Sequence, residues 1–213
     1  MLNLPDVQLV TVRGGGHPPE YFLKALMYSM RGIEFGDVLF LTSSSCGIPY
    51  KMEKKIRVHT IPEFNIEGYN KFMMKELWKY VSLRHCLVIQ SDGFVLHPEC
   101  WADDFLLYDY IGAVWGENDM WPGRVVGNGG FSLRSRNLIN QCSQFSDPIN
   151  DNEDHIICRT HRGWFTERRI RFAEPEVANL FSWEDNDPGH PTFGFHSFRQ
   201  KEYLAQVLVT QQI

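Results

Sequence analysis

The sequence is poor in everything that would commit it to a membrane, a disulfide framework or a nucleic acid. No apolar stretch reaches the roughly 18 residues that a spanning helix needs. The opening MLNLPDVQLVTV has no basic segment ahead of a long apolar one, so no leader is expected either. Five cysteines, at positions 46, 86, 100, 142 and 158, include no C-x-x-C pair, which excludes finger-type zinc sites. Cys46, Cys86 and Cys142 lie in or beside apolar stretches and read as buried thiols in a reducing compartment such as the cytoplasm. The formal charge is -5, the wrong sign for gripping a phosphate backbone, so no nucleic-acid partner is expected. Internal repeats, low-complexity tracts and linkers are also missing, and 213 residues suit one domain with a real core.

What is present is an ordinary globular composition, 43% apolar and 22% charged, with a somewhat high 14% of aromatics. Residues 7–12, VQLVTV, predict a strand that runs into Arg13 and three glycines, 14–16. The G-x-G-x-x-G fingerprint is not met, because His17-Pro18-Pro19 follows. A helix opens near Pro19, and Leu23, Leu26, Met27, Met30 and Ile33 fall at helical spacing. Short strands follow at 38–41 and 57–61, then a helix at 69–80 that buries Phe72, Met73 and Leu77, then a strand at 86–92. Alternation of this kind predicts a mostly parallel α/β sheet with helices on its faces.

The second half is less regular. A helical turn is expected at 98–106, a strand at 110–115, and a loop holding Glu117, Asp119 and Trp121. Two short apolar flanks enclose Gly127-Asn128-Gly129-Gly130 within 125–133. Helices are expected at 135–145 and from about 151, a short strand at 168–172, an edge strand or irregular segment at 174–181, and a final helix burying Leu204, Val207 and Leu208.

Two stretches stand out chemically. CLVIQSDGFVLHP, residues 86–98, is an apolar run that ends in Asp92 and Gly93, and open α/β sheets present ligand groups at just such strand ends. A plain Asp-Gly hairpin turn is the competing interpretation. Three glycines within four residues at 127–130 are costly to fix unless φ is positive or something packs against the backbone.

With IQSDGFVLHP, DYIGAVW and GNGGFSLRS together, the chain resembles the nucleotide-sugar-dependent glycosyltransferases of the GT-A fold, and more closely viral and microbial GT-A-like domains such as the N-terminal domain of a large chlorella-virus glycosyltransferase. The resemblance runs from the first strand to about His196. It implies a single GT-A-like α/β domain, with a nucleotide-binding half over 1–97 and an acceptor and catalytic half over 98–213. It implies transfer of a sugar from a UDP-sugar to a glycan hydroxyl, with inversion and the help of manganese, magnesium being the alternative. For a viral protein the host cytoplasm is the expected location, and further domains of a longer polypeptide are expected partners.

Residue by residue, the resemblance matches Gln90-Ser91-Asp92 to the family's Asp-x-Asp motif, with only one of the two carboxylates present. Asp92 and His196 are then the metal ligands. Thr11, Val12 and Arg13 on one side, and Asn65, Tyr69, Asn70 and Lys71 on the other, are the nucleoside residues. Ser91, Gly129, Gly130 and Arg199 complete the donor site, with Lys201 near Arg199. Asp154, or its neighbour Glu153, is the general base. The reduced Asp motif keeps a non-catalytic nucleotide- or glycan-binding domain of the same fold as the alternative. A nucleotidyltransferase ranks third, since no lysine follows the first strand until Lys24.

Overall fold

A computed structural model describes residues 1–44, 55–116, 120–184 and 188–196. In chain order the elements are β1 (Leu2–Arg13), α1 (Pro19–Ser29), β2 (Ile33–Thr42), β3 (Arg57–Thr60), α2 (Ile66–Lys75), β4 (His85–Ile89), β5 (Gly93–Val95), β6 (Tyr110–Ile111), β7 (Ala113–Val114), β8 (Val126–Gly127), β9 (Phe131–Ser135), α3 (Arg136–Gln144), α4 (Glu153–His155), α5 (Arg162–Glu167), α6 (Pro175–Phe181), β10 (Ser182–Trp183) and β11 (Gly194–His196). The main sheet has the order β3-β2-β1-β4-β9-β6. The first four strands are parallel, and β9 runs antiparallel to both of its neighbours. A second sheet, β10-β11-β5, and the pair β7-β8 complete the strand pairing.

The central strands are apolar on both faces because both faces are covered. Leu9 and Leu87 turn toward α1, joining Phe22 and Leu26, while Val10, Val88 and Leu39 turn toward α2, joining Phe72 and Met73. Gln8 is the polar exception inside β1. It is fully buried and satisfied at both ends, donating to the Tyr80 carbonyl and accepting from the Ser82 amide. A third cluster, around Tyr110, Phe145, Ile157 and Phe165, packs α3 and α5 against the β6 edge. Strands β6 and β9 from the second half complete the sheet begun by the first, so the fold is one mixed α/β domain with a mostly parallel sheet.

Several expected elements take a different form. Within the stretch 174–181, Pro175–Phe181 form the helix α6. Pro175 supplies the preset φ of a first helical position, and Glu176 follows it in the first turn. The expected strand at 168–172 reduces to one bridge, Tyr110 with Phe172. The single strand expected at 110–115 divides into β6 and β7, which belong to different sheets. Gly112, between them, crosses the Gly127 backbone so closely that a Cβ there would collide with the Gly127 carbonyl. Ile33 opens β2 instead of closing the first helical stripe. Gly93 does not close a hairpin either: β4 and β5 lie in separate sheets, and β5 pairs with β11. The expected C-terminal helix, Arg199, Lys201, Glu117, Asp119 and Cys46 lie outside the described residues.

Candidate active site at the carboxyl edge of β1 and β4

From β1 the chain moves outward to β2 and β3, then returns to β4 on the other side of β1. That reversal leaves a crevice beyond the carboxyl ends of β1 and β4, where open α/β sheets take their ligands. A cavity of about 250 Å³ occupies it, lined by Val12, Arg13 and the Gly14–Gly16 run on one side and by Gln90, Ser91 and Asp92 on the other, with Phe64, Asn65 and Tyr69 forming the roof. Arg13 is held at the rim by its own hydrogen bonds, to the His17 carbonyl and to the Ser43 and Ser44 hydroxyls at 2.8–2.9 Å. Thr11 is spent on the sheet, donating its hydroxyl to the Ile89 carbonyl at 2.8 Å. Asn65 caps α2 by accepting from the Gly68 amide.

A second cavity of about 260 Å³ adjoins the first and shares Ile66, Tyr69 and Gln90 with it. Its lining brings together Gly129, Gly130, Glu153, Asp154, Glu184 and His196. The antiparallel β9 explains this convergence. Its start meets the end of β4 at Ile89–Phe131, so the glycine loop lies directly beside residues 90–92. The Gln90 amide donates to the Gly130 carbonyl at 3.0 Å, and β11 brings His196 opposite Gly93. A Cβ on Gly130 would overlap the His196 ring, so glycine is required there for the close approach. Asn128, with φ of 71°, takes the left-handed turn before it.

His196 lies between two carboxylates. Its Nε2 faces Asp92 Oδ1 at 3.4 Å and its Nδ1 faces Glu184 Oε1 at 3.4 Å. Burial pulls the imidazole down, but contacts with Asp92 and Glu184 outweigh it and lift the group to about 10. Asp92 is 4% exposed, and neither of its oxygens accepts a hydrogen bond. Gln90 links the two cavities: its Nε2 donates to the Tyr69 hydroxyl at 3.0 Å while its Oε1 faces His196 Nε2 at 3.2 Å. Burial, and secondarily the nearby Glu153 charge, raise the Tyr69 phenol. Glu184 also accepts from the Trp115 indole at 2.8 Å.

Asp154 and Glu153 sit differently despite being adjacent. Asp154 is half-buried, faces the cavity and accepts from the Gly129 amide at 2.7 Å. Glu153 is 3% exposed and is engaged by Arg134, itself 2% exposed, at 2.8 Å. Arg134 also donates to the Ser132 hydroxyl and to the Gly129 carbonyl. Asn70 and Lys71 do not line the first cavity. Asn70 is buried against Asn152 and the Glu153 amide, and Lys71 is exposed and pairs with Glu67 at 2.6 Å.

The geometry thus gathers His196, Gly129, Gly130 and Asp154 around the second cavity, and sets Val12, Arg13, Asn65, Tyr69, Ser91 and Asp92 around the first, with Asp92 facing His196 at 3.4 Å. Glu184 was not legible beforehand. It lies twelve positions before its partner His196, with no motif around it. Arg134 was hidden because an arginine inside a strand gives no sign of burial. As to a metal, the Asp92 oxygens, which accept no hydrogen bond, and the facing imidazole suit a cation that accepts oxygen and nitrogen, provided that the imidazole gives up its proton on binding it. Among the described residues, no group of three His, Cys, Asp or Glu side chains is arranged to hold a metal ion, so the protein would supply only part of a coordination shell.

Comparison with solved structures gives the same architecture. The galactosyltransferase LgtC, in complex with donor and acceptor sugar analogues, matches with 10% identity over 97% of this chain and 96% of that one, at a TM-score of 0.53. A glycosyltransferase involved in glycosylation of the major capsid of the virus PBCV-1 matches with 13% identity over 94% of this chain and 98% of that one, at 0.55. A mannosyltransferase from Pyrobaculum calidifontis, in complex with GDP-Man and Mn2+, gives 12% identity and 0.49 over 81% of this chain, which spans 56% of that protein's length. At these identities the likeness is one of fold. No curated protein matches the sequence. The profile of the family described as protein of unknown function DUF5672 matches residues 55–196, well over half of the chain and including every strand end that builds the second cavity, and the chain belongs to that family.

Proposed function

We propose that the protein is a glycosyltransferase of the GT-A type that moves a sugar from a UDP-sugar to a hydroxyl of a glycan, with inversion at the anomeric carbon. The observation that carries this is the pair of adjoining cavities. One is a crevice at a sheet switch point, sized for part of a nucleotide. Asp92, whose oxygens accept no hydrogen bond, lines this crevice, and His196, which faces it at 3.4 Å, lines the other cavity together with Asp154 and the glycine loop. In this reading Phe64, Asn65 and Tyr69 receive the nucleoside and Arg13 lies on its phosphate side. Asp92 and His196 hold a divalent cation whose chemistry is to neutralise the diphosphate leaving group. Manganese suits the imidazole better than magnesium does.

Asp154 is the base that takes the proton of the acceptor hydroxyl. Its bond to the Gly129 amide fixes the carboxylate, and Glu153, locked onto Arg134, holds the turn that carries it. Residues 1–97 would then form the donor half, and the later segments the acceptor half. The described cysteines are free thiols, which fits the reducing cytoplasm as the working location.

A second reading, a nucleotide- or glycan-binding domain without turnover, is favoured by one observation: His196 already has a carboxylate on each nitrogen. Calorimetric titration with UDP and with GDP, each with manganese and with EDTA, tests the proposal. UDP binding that needs manganese and is lost in Asp92→Ala, together with turnover of a UDP-sugar, supports the transferase. Nucleotide binding without any turnover supports the second reading, and no binding of either nucleotide sinks the first.

A further inference from the structure

A third cavity, of about 680 Å³, runs along the outer side of α2 between its first two turns and the loop 148–152. It shares Asn70 and Asn152 with the cavity that holds Asp154, and Ile66 lines all three cavities. The first turn of α2 is therefore a partition, with the first crevice on one side and this groove on the other, and both adjoin the cavity that holds Asp154.

The groove's chemistry is narrow. Asn150 and Asn152 line it with side-chain amides, a group that both donates and accepts, as sugar hydroxyls require, while Asn70 is buried behind them. Ile149 and the 67%-exposed Ile66 give apolar ground for C–H faces. The charged members are Asp151, Glu67 and Lys71, and Lys71 is already paired with Glu67. Such a lining gives an anionic polymer nothing to hold. Asn70 ties the wall to the reactive end, accepting from the Glu153 amide at 3.3 Å and donating to the Asn152 side-chain oxygen, Oδ1, at 3.4 Å.

We propose that this groove binds the acceptor as a neutral oligosaccharide, with its terminal hydroxyl delivered past Asn70 and Asn152 to Asp154. Asn70 and Lys71 then belong to acceptor recognition and not to the nucleoside. The inference rests on the transferase reading for what happens at Asp154, but the groove can be tested without it.

The experiment is a ¹⁵N-NMR titration of the full chain with maltotetraose, cellotetraose, chitotetraose and mannotetraose, and separately with UDP. At least one tetrasaccharide is expected to shift amides within 66–71 and 148–152, and Asn150→Trp, which fills the groove, is expected to weaken that binding tenfold or more while the spectrum stays folded. Shifts centred elsewhere, unchanged affinity in Asn150→Trp, or silence toward all four sugars would overturn the groove. UDP shifts around Arg13, Phe64 and Tyr69 with a silent groove would reject this inference and spare the transferase. A sugar in the groove of a protein blind to UDP would do the reverse.

Discussion

Removing Glu153 should cost more stability than its place beside a catalytic candidate suggests. Arg134 is 2% exposed and keeps its charge at any accessible pH, so it cannot escape by losing a proton. It has three hydrogen-bond acceptors, Glu153 Oε1 at 2.8 Å, the Ser132 hydroxyl at 2.9 Å and the Gly129 carbonyl at 3.3 Å, and only the first is charged. Glu153→Ala leaves that cation buried against two neutral oxygens. Breaking a buried pair from one side costs about 3–5 kcal/mol, a large share of the roughly 5–15 kcal/mol that holds a domain folded. For a chain of this length each kcal/mol moves Tm by about 2–4 °C, so a fall of about 6–20 °C is expected. The double variant Arg134→Met with Glu153→Leu removes both charges and should recover most of the loss, because an apolar pair in such a site is often neutral. Urea unfolding of the two single variants and the double closes the cycle. A single-variant loss below about 1 kcal/mol, or a double variant no better than the worse single, would refute the reasoning, since a buried charge costs that much even when partly solvated.

Other outcomes follow from the same geometry. Asp154→Asn keeps an oxygen for the Gly129 amide, so UDP affinity should stay within about twofold while sugar transfer falls by on the order of 10²–10⁴; undiminished transfer would place the base elsewhere. Gly130→Ala drives a methyl into the His196 ring and should abolish manganese-dependent UDP binding in calorimetry, with far-ultraviolet circular dichroism unchanged. Burial pushes the Cys86 and Cys142 thiols up to about 12, and the Cys158 thiol up as well, so iodoacetamide at pH 8 should leave all three intact in the native protein and label them only after unfolding. Alkylation of any of the three at native rates would contradict the packing around them.

What the sequence disclosed depended on whether the deciding contact was local. β1, β2 and β4 are apolar runs covered on both faces, so their strands show directly, and so does the stripe Phe72, Met73 and Leu77 that packs beneath α2. Asp92 stood out because a carboxylate closing a buried run is conspicuous by itself. The split at Gly112 could not be read, because the backbone that forces it, Gly127, lies fifteen positions onward. α6 was legible in principle, through Pro175 and Glu176, but its apolar residues also fit an edge strand, and length alone does not decide over seven residues. At the site, the roles of Glu184 and Arg134 depend on partners 12 and 19 positions away, His196 and Glu153, and no periodicity reports such pairings. The difference between Glu153 and Asp154, which both line the second cavity, is set by their partners, the buried Arg134 for the first and the Gly129 amide for the second.

The hydrogen bond from the Gln90 amide to the Gly130 carbonyl, with the pairing of His196 against Gly93, means that the floor of the cleft is made of main chain. A shape held that way is indifferent to most side-chain identities, provided that small residues stay where strands cross. Side chains around such a floor can then be exchanged without disturbing its shape. That is how a chain can share only 10–13% of its residues with proteins of the same fold.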